Sequence, residues 1–286
     1  MTEDIYYTAG DGLKLYARSY GPDDVPLTVL CMHGLTRNHK DFEPMIAHFG
    51  ERYRFIAVDV RGRGMSDRDP NPEHYTPLHY AQDMTCLIKH LQLDQVVLIG
   101  TSMGALMSML MVQLAPEHIR AVVMNDVGPI PGFDGVKRIA SYVGKGEPES
   151  NWDSAAQSVA ASQGLAFPDY DEQDWLAFAR RTYRETEDGK IVLDYDPAIS
   201  QMFSLKKPGF GLRFAMWRLF SKMKPFPLLV IRGELSDILP EKTARKMLKR
   251  HGRATLVTVP NRGHAPMLDE PEAIRAIDHF LSGLET

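Results

Sequence analysis

The chain has 286 residues, 44% hydrophobic and 24% charged, which excludes disordered, collagen-like and coiled-coil classes and suffices for one large core or a core with an insertion. Thirty-three basic against 37 acidic residues leave a net charge of −4, so no basic excess argues for a nucleic-acid partner. Cys31 and Cys86 make no disulfide framework and both sit in apolar stretches, so a reducing, cytoplasmic setting is expected; MTEDIYYTAG lacks the pattern of a signal peptide, and no run of apolar residues is long enough to predict a membrane span.

From the N-terminus, short runs at 5–7 and 13–19 flank Ala9-Gly10-Asp11-Gly12, a turn signal that predicts an opening hairpin. Apolar runs follow at 27–32 (LTVLCM), 55–58 (FIAV), 95–99 (QVVLI), 121–124 (AVVM), 228–231 (LLVI) and 255–259 (TLVTV). They scarcely alternate with polar residues, as strands do when helices cover both faces of a parallel sheet. Helix-period segments lie between them, near 41–50, 77–92, 103–115, 241–250 and 271–283, with Pro44, Pro77 and Pro271 placed for a first turn. The fold class is therefore α/β, with a mostly parallel central sheet and helices on both faces. The rhythm breaks at 128–132 (GPIPG) and resumes near Pro225. The span between is too long for a structureless loop and has helical patterns near 135–143, 152–162, 171–186 and 211–222. Residues 129–220 are read as a helical lid inserted over the end of the sheet, dividing the core into 1–128 and 221–286. The insertion carries all three tryptophans. Most of its aromatic residues are needed for its own core, and the remainder should line a cavity against the sheet.

Gly100-Thr101-Ser102-Met103-Gly104 directly follows the run QVVLI and opens a helical pattern. A residue at the apex of such a strand–turn–helix is strained and projects from the sheet, and the flanking glycines allow the chain to cross closely. Ser102 is the candidate nucleophile. At this point the sequence resembles the α/β-hydrolase superfamily. His33-Gly34 after a strand resembles the family's oxyanion loop. Asp59-Val60-Arg61-Gly62-Arg63-Gly64-Met65-Ser66 resembles its D-x-R-G-x-G-x-S turn, and Gly263-His264 follows the last strand. These motifs keep the family order outside 129–220, and the insertion resembles the helical lid that many members carry there.

A serine hydroxyl needs a base to take its proton. Of ten histidines, His264 stands in a loop just past a strand, where it could swing over Ser102. The base in turn needs an acid to orient it. Asp237, after the run LLVI, gives the order Ser…Asp…His and is the favoured acid. Many members of the superfamily place the acid three residues after the strand's glycine, where this chain has Ser236; Asp126, after AVVM, and Glu234 are the competitors. The backbone N–H groups of Leu35 and Met103 are the expected oxyanion donors, with their apolar side chains toward substrate. The resemblance makes His33 a support of the oxyanion loop. His33, Gly34, Trp152 and Trp217 are the expected substrate-side residues.

No metal-ligand spacing, dinucleotide fingerprint or phosphate-binding loop occurs, so no metal or cofactor is expected. The basic run at 246–251 reads as the solvated face of a helix. The resulting expectation is a serine hydrolase acting through an acyl-enzyme on carboxylic esters of small to medium, partly apolar molecules. A C–C bond hydrolase or lactonase is one alternative, and a slow-turnover, receptor-like ligand binder is another. A small molecule is the expected partner; the sequence leaves the natural substrate and the oligomeric state open.

Overall fold

The computed structural model describes residues 2–202 and 209–285, so residues 203–208 of the predicted insertion lie outside the described residues. An antiparallel hairpin, β1 (Thr2–Thr8) and β2 (Lys14–Tyr20), leads into β3 (Thr28–Met32), α1 (Glu43–Phe49), β4 (Arg54–Asp59), α2 (Pro77–His90), β5 (Val96–Thr101), α3 (Met103–Leu114) and β6 (Ile119–Asn125). After the inserted segment come β9 (Leu228–Gly233), α8 (Glu241–His251), β10 (Thr255–Val259) and α9 (Pro271–Ser282). Among the described residues the main sheet has the order β1-β2-β4-β3-β5-β6-β9-β10. It is parallel from β4 to β10, and β2 runs antiparallel to both neighbours. This is the α/β class that the two-sided apolar runs predict.

Alternate residues of each central strand feed opposite cores. Leu30, Met32, Leu98, Val122 and Val230 pack with α2, α3 and α8. Val29, Cys31, Val97, Val123 and Ile231 pack with α1 and α9 on the other face. Both faces are apolar, which is why the central runs scarcely alternate with polar residues. α3 is apolar around most of its circumference, and Met107, Met109 and Met111 are wholly buried, as flexible fillers of the core. No helix among the described residues is long and apolar enough to cross a membrane.

The inserted segment holds α4 (Phe133–Tyr142), α5 (Trp152–Gln163), α6 (Glu172–Thr182), β7 (Tyr183–Glu185), β8 (Ile191–Leu193) and α7 (Phe210–Ser221). Its own small core joins Ala155, Val159, Phe167, Phe178 and Tyr183. The helical pattern at 171–186 stops earlier than its periodicity suggests. At Thr182 the chain turns extended, and β7 pairs antiparallel with β8 across a turn in which Gly189 takes φ 78°. The Asp188-Gly189 pair carries that turn, a signal that the periodicity conceals.

The turn between β5 and α3 fixes the centre of the molecule. A Cβ on Gly100 would meet the backbone of Gly104 and Ala105, and one on Gly104 would meet the Met32 carbonyl. These obstacles are backbone atoms that cannot rotate away. Gly104→Ala is therefore expected to cost about 1–3 kcal/mol or more as an overpacking defect, read as a lowered urea midpoint. Gly10→Ala, where a Cβ meets nothing within 4 Å, is the control, and equal midpoints for the two variants would contradict this packing.

Candidate active site

The parallel strands all end at one rim of the sheet, and the loops that leave it bring the candidate residues together. Ser102 sits between β5 and α3 with φ 52°, ψ −108°. Its N–H donates to the Asn125 carbonyl at 2.9 Å, and its own carbonyl accepts from Ala105 and Leu106 in the first turn of α3. These bonds fix the backbone from which the side chain projects. Its Oγ lies 2.8 Å from Nε2 of His264. His264 belongs to the loop after β10, which is held on several sides. Gly263 N–H donates to Ala166 O at 2.7 Å, Asn125 Nδ2 donates to Pro266 O at 2.7 Å, and the Met267 and Leu268 N–H groups each donate to Glu270 at 3.0 Å.

The acid beside His264 is Asp126. Its Oδ2 lies 2.8 Å from His264 Nδ1, so the imidazole donates from Nδ1 and leaves Nε2 to accept the serine proton. Asp126 is wholly buried at the end of β6, with φ 56°. Its Oδ1 accepts the Gly233 N–H at 2.9 Å, and its Oδ2 also accepts the Ser236 hydroxyl at 2.6 Å. Three donors thus compensate a carboxylate removed from water.

This corrects the expectation for Asp237. Its carboxylate turns to α4 and takes a two-point contact from Arg138, at 2.7 and 3.0 Å. Burial pushes this carboxyl up, but the Arg138 guanidinium outweighs that effect and holds it below the usual carboxylate range. Glu234 is exposed and accepts from Asn261 N–H at 3.1 Å. The physical difference lies in the partners: Arg138 draws Asp237 away, while the Gly233 N–H and the Ser236 hydroxyl hold Asp126 beside His264. β6 adjoins the serine strand β5, whereas β9 is one strand further out. Ser236, in the place of the expected acid, instead supports Asp126.

The oxyanion-loop residues divide. Gly34 and Leu35 line the cavity over Ser102, and a Cβ on Gly34 would stand 3.9 Å from that of Ser102. Met103 opens α3, where a first-turn N–H has no intrahelical acceptor. Among the described residues no protein group accepts from the Leu35 or Met103 N–H. The Met103 side chain does not reach the cavity wall; it is buried, with Sδ 3.7 Å from Arg63 Nη2. His33 likewise lies behind the wall, fully buried. Its Nε2 accepts from Val60 N–H at 3.0 Å, so its Nδ1 donates to Gly34 O at 2.6 Å. Burial pushes this imidazole down to about 4.

Trp152 and Trp217 are also corrected, because neither lines the cavity. Trp152 is half-buried at the start of α5 beneath Arg180, whose guanidinium carbon lies 4.7 Å from the ring centroid. Trp217 belongs to the main core, with Lys246 4.4 Å and Arg250 4.9 Å from its ring centroid. The aromatic residues that do face the cavity are Phe42, Tyr142, Phe167, Phe178, Tyr183 and Tyr195. The cavity measures about 520 Å³ and lies between the sheet rim and the inserted helices. Val159, Leu193 and Met267 add apolar surface, while Ser141, Ser158, Ser162 and Gln163 add hydrogen-bonding groups. Arg37 is a cation of this wall, but Asp41 neutralises it through contacts at 2.7 and 2.5 Å. Away from the cavity, Asp11, Asp69 and His74 approach one another within 4.8 Å, and Arg61 bonds both carboxylates of that group.

The alpha/beta hydrolase fold model matches residues 28–271. A 3-hydroxybutyrate-oligomer hydrolase of Cupriavidus necator is 31% identical over 275 residues, spanning 94% of this chain and 93% of that protein. A 2-(acetamidomethylene)succinate hydrolase of Mesorhizobium japonicum is 28% identical over 255 residues, spanning 88% and 87%. The crystal structure of an alpha/beta hydrolase from Novosphingobium aromaticivorans superposes with a TM-score of 0.91 at 42% identity, covering 98% of each chain. The chain belongs to the alpha/beta hydrolase family and is a hydrolase.

Two outcomes follow from this geometry. Asp126→Asn should lower kcat by about 10⁴ by leaving the imidazole in the wrong tautomer, while Asp237→Asn keeps kcat near wild type. Steady-state kinetics on any hydrolysed substrate decides, and the reverse ranking would restore Asp237. His33 gives a pH signature. It stays neutral when folded, so the unfolded chain binds its proton more readily, and stability falls as pH drops from about 6.5 toward 4, by up to ~3 kcal/mol from this group. Urea titrations at pH 7 and 5 should show a smaller loss for His33→Asn than for wild type; equal losses would remove His33 from this role.

Proposed function

We propose that this member of the alpha/beta hydrolase family is a serine esterase that cleaves carboxylic esters of small to medium, partly apolar molecules through an acyl-enzyme. The observation that carries this reading is the continuous hydrogen-bonded line from Ser102 through His264 to the buried Asp126. In the first half-reaction Ser102 Oγ attacks the ester carbonyl carbon as its proton passes to His264 Nε2. Asp126 stabilises the resulting imidazolium without taking its proton. The carbonyl oxygen becomes an oxyanion, which the Leu35 and Met103 N–H groups receive in this reading. Collapse of the tetrahedral intermediate breaks the C–O bond, and His264 returns the proton to the leaving alcohol. In the second half-reaction water attacks the acyl-serine by the same route and releases the acid.

The cavity supports the substrate class. Phenylalanine and aliphatic side chains favour an apolar portion, while serine, tyrosine and glutamine side chains offer partners for ester and hydroxyl oxygens. Arg37 is already paired with Asp41, and the other charged side chains of the wall, Lys145, Glu147 and Glu149, are of both signs, so the lining favours no one strongly charged acyl group. The Cupriavidus necator relative is named for hydrolysing 3-hydroxybutyrate oligomers, and short hydroxy-acid oligoesters are therefore the first class to assay.

A panel of esters of graded acyl length, with 3-hydroxybutyrate dimer and trimer included, tests the reading. Turnover should favour short to medium, partly apolar acyl groups. Ser102→Ala and His264→Ala should each lose on the order of 10⁶ in kcat, and a fluorophosphonate probe should label wild type but not Ser102→Ala. Ester turnover that survives in Ser102→Ala would overturn the mechanism. Labelling without turnover on any ester would overturn the substrate class.

A further inference from the structure

Two arginines stand two residues apart in the turn after β4, and the structure treats them oppositely. Both are among the largest fully buried side chains of the protein, with Arg61 2% and Arg63 1% exposed. Arg61 is saturated by carboxylates. It binds Asp83 at 2.6 and 2.8 Å, Asp11 at 2.7 Å, and Asp69. Arg63 has no carboxylate in ion-pair contact among the described residues. Its Nε donates to the Leu35 carbonyl at 2.9 Å, its Nη1 to the Arg61 carbonyl at 2.7 Å, and its Nη2 approaches Met103 Sδ at 3.7 Å. The rings of Tyr80 and Tyr75 lie 4.8 and 5.6 Å from its guanidinium carbon.

A buried cation without a counter-ion is costly, and a neutral donor could hold two carbonyls at a lower desolvation cost. The placement of this charge is specific. Of its three polar contacts, two are to Leu35 and Met103, the residues whose N–H groups are placed to receive the oxyanion. We propose that Arg63 is a positioning residue of the oxyanion site. It braces Leu35 through its carbonyl oxygen and Met103 through its side-chain sulfur, and it carries a positive charge with no carboxylate in ion-pair contact, so that the site favours the anionic tetrahedral intermediate over the neutral ester. This inference rests on the reading of Ser102 as nucleophile. It adds a fixed charge that the backbone donors alone do not supply, in a site where low dielectric strengthens such a field. The turn that carries Arg63 is itself clamped. The residue forms an antiparallel bridge with Tyr195, and the N–H of Gly64 donates to Asp194 O at 3.0 Å.

The test compares Arg63→Gln, Arg63→Met and Arg63→Lys with wild type on one hydrolysed ester, with kcat normalised to fluorophosphonate-titrated sites. Binding of two probes is measured alongside: a boronic acid, which forms an anionic tetrahedral adduct with serine, and a non-hydrolysable ether analogue of the ester. Arg63→Gln and Arg63→Met should lower kcat about 10- to 100-fold, less than the loss of a direct donor, with KM changed by no more than about threefold. Boronate affinity should fall by a similar factor while ether affinity holds, and Arg63→Lys should recover part of both losses. The ratio of the two affinities depends on folded protein alone, so partial unfolding of a variant leaves it readable. Wild-type kcat in Arg63→Gln, a loss confined to KM, or equal weakening of boronate and ether would overturn the proposal. An active Ser102→Ala would instead defeat the underlying mechanism; an inactive Ser102→Ala beside an unaffected Arg63→Gln would defeat the arginine's role alone.

Discussion

Ser102 is held in a left-handed backbone conformation, with φ 52°, that an L-residue other than glycine rarely adopts. Such strain costs on the order of 1–3 kcal/mol and persists only where the surroundings over-determine it. Here they do so through close packing. Gly104 lies against the Met32 carbonyl and Gly100 against the first turn of α3, so strands β3 and β5 and the helix lock one another. Asp126, at the end of the adjacent strand, is a second strained residue, with φ 56° and its N–H bonded to Ile231 O at 2.8 Å. Ser102 and Asp126 are thus fixed by backbone on neighbouring strands, and His264 arrives between them on a longer loop. Two rigid members and one tethered member suit the proposed reaction, in which the imidazole takes the proton of Ser102 and gives it to the leaving group while Asp126 only orients the ring.

The charges beneath this site are arranged with similar economy. Asp59 stays ionised although it is wholly buried. Burial pushes its carboxyl up, but hydrogen bonds and charge from His39, together with the Met65 N–H at 2.8 Å, hold it below the usual range. Gly64 has no room for a side chain because that carboxylate occupies the space. Ser66 then donates to Asp59 O at 2.5 Å and accepts from Tyr16 N–H at 2.9 Å, which joins the turn to the opening hairpin. The residues of the D-x-R-G-R-G-x-S segment therefore form one structural unit, with Arg61 balanced by acids and Arg63 left facing the oxyanion loop.

The central strands were legible because burial on both faces leaves their middles apolar, as in FIAV and QVVLI. Ser102 and His264 were legible because each follows such a run within a glycine-marked turn. The acid was not. Asn125-Asp126 and Ser236-Asp237 both place an aspartate just past an apolar run, and nothing local separates them. The distinction depends on distant partners: Arg138, a residue 99 positions away in sequence, claims Asp237, and Ser236, 110 positions away, supports Asp126. The tryptophans failed for a related reason. Aromatic content signals that the insertion needs a core, but not which rings turn inward. Phe167, Tyr170, Trp175 and Phe178 stack on one another in that core, and Trp217 leaves it for the main one.

The inserted helices are also more than a cover resting on the sheet. Arg37 donates to Thr182 Oγ1, and Asn38 Nδ2 donates to Arg181 O at 3.0 Å, which ties the oxyanion loop to the end of α6. Arg63 and Gly64 are bridged to the segment after β8, and Gly263 is bonded to Ala166 beside His264. A swing of the whole insertion as one rigid body would break all three attachments and disturb both the oxyanion loop and the base. Motion confined to α4 and residues 143–149, whose exposed Lys145 and Glu147 also line the cavity, would leave those attachments intact. That segment is tied as well, through Arg138 to Asp237, the Gly144 N–H to the Tyr195 hydroxyl and the Glu149–Ile191 bridge, so its displacement would cost these contacts while sparing the hydrogen-bonded line from Ser102 to Asp126.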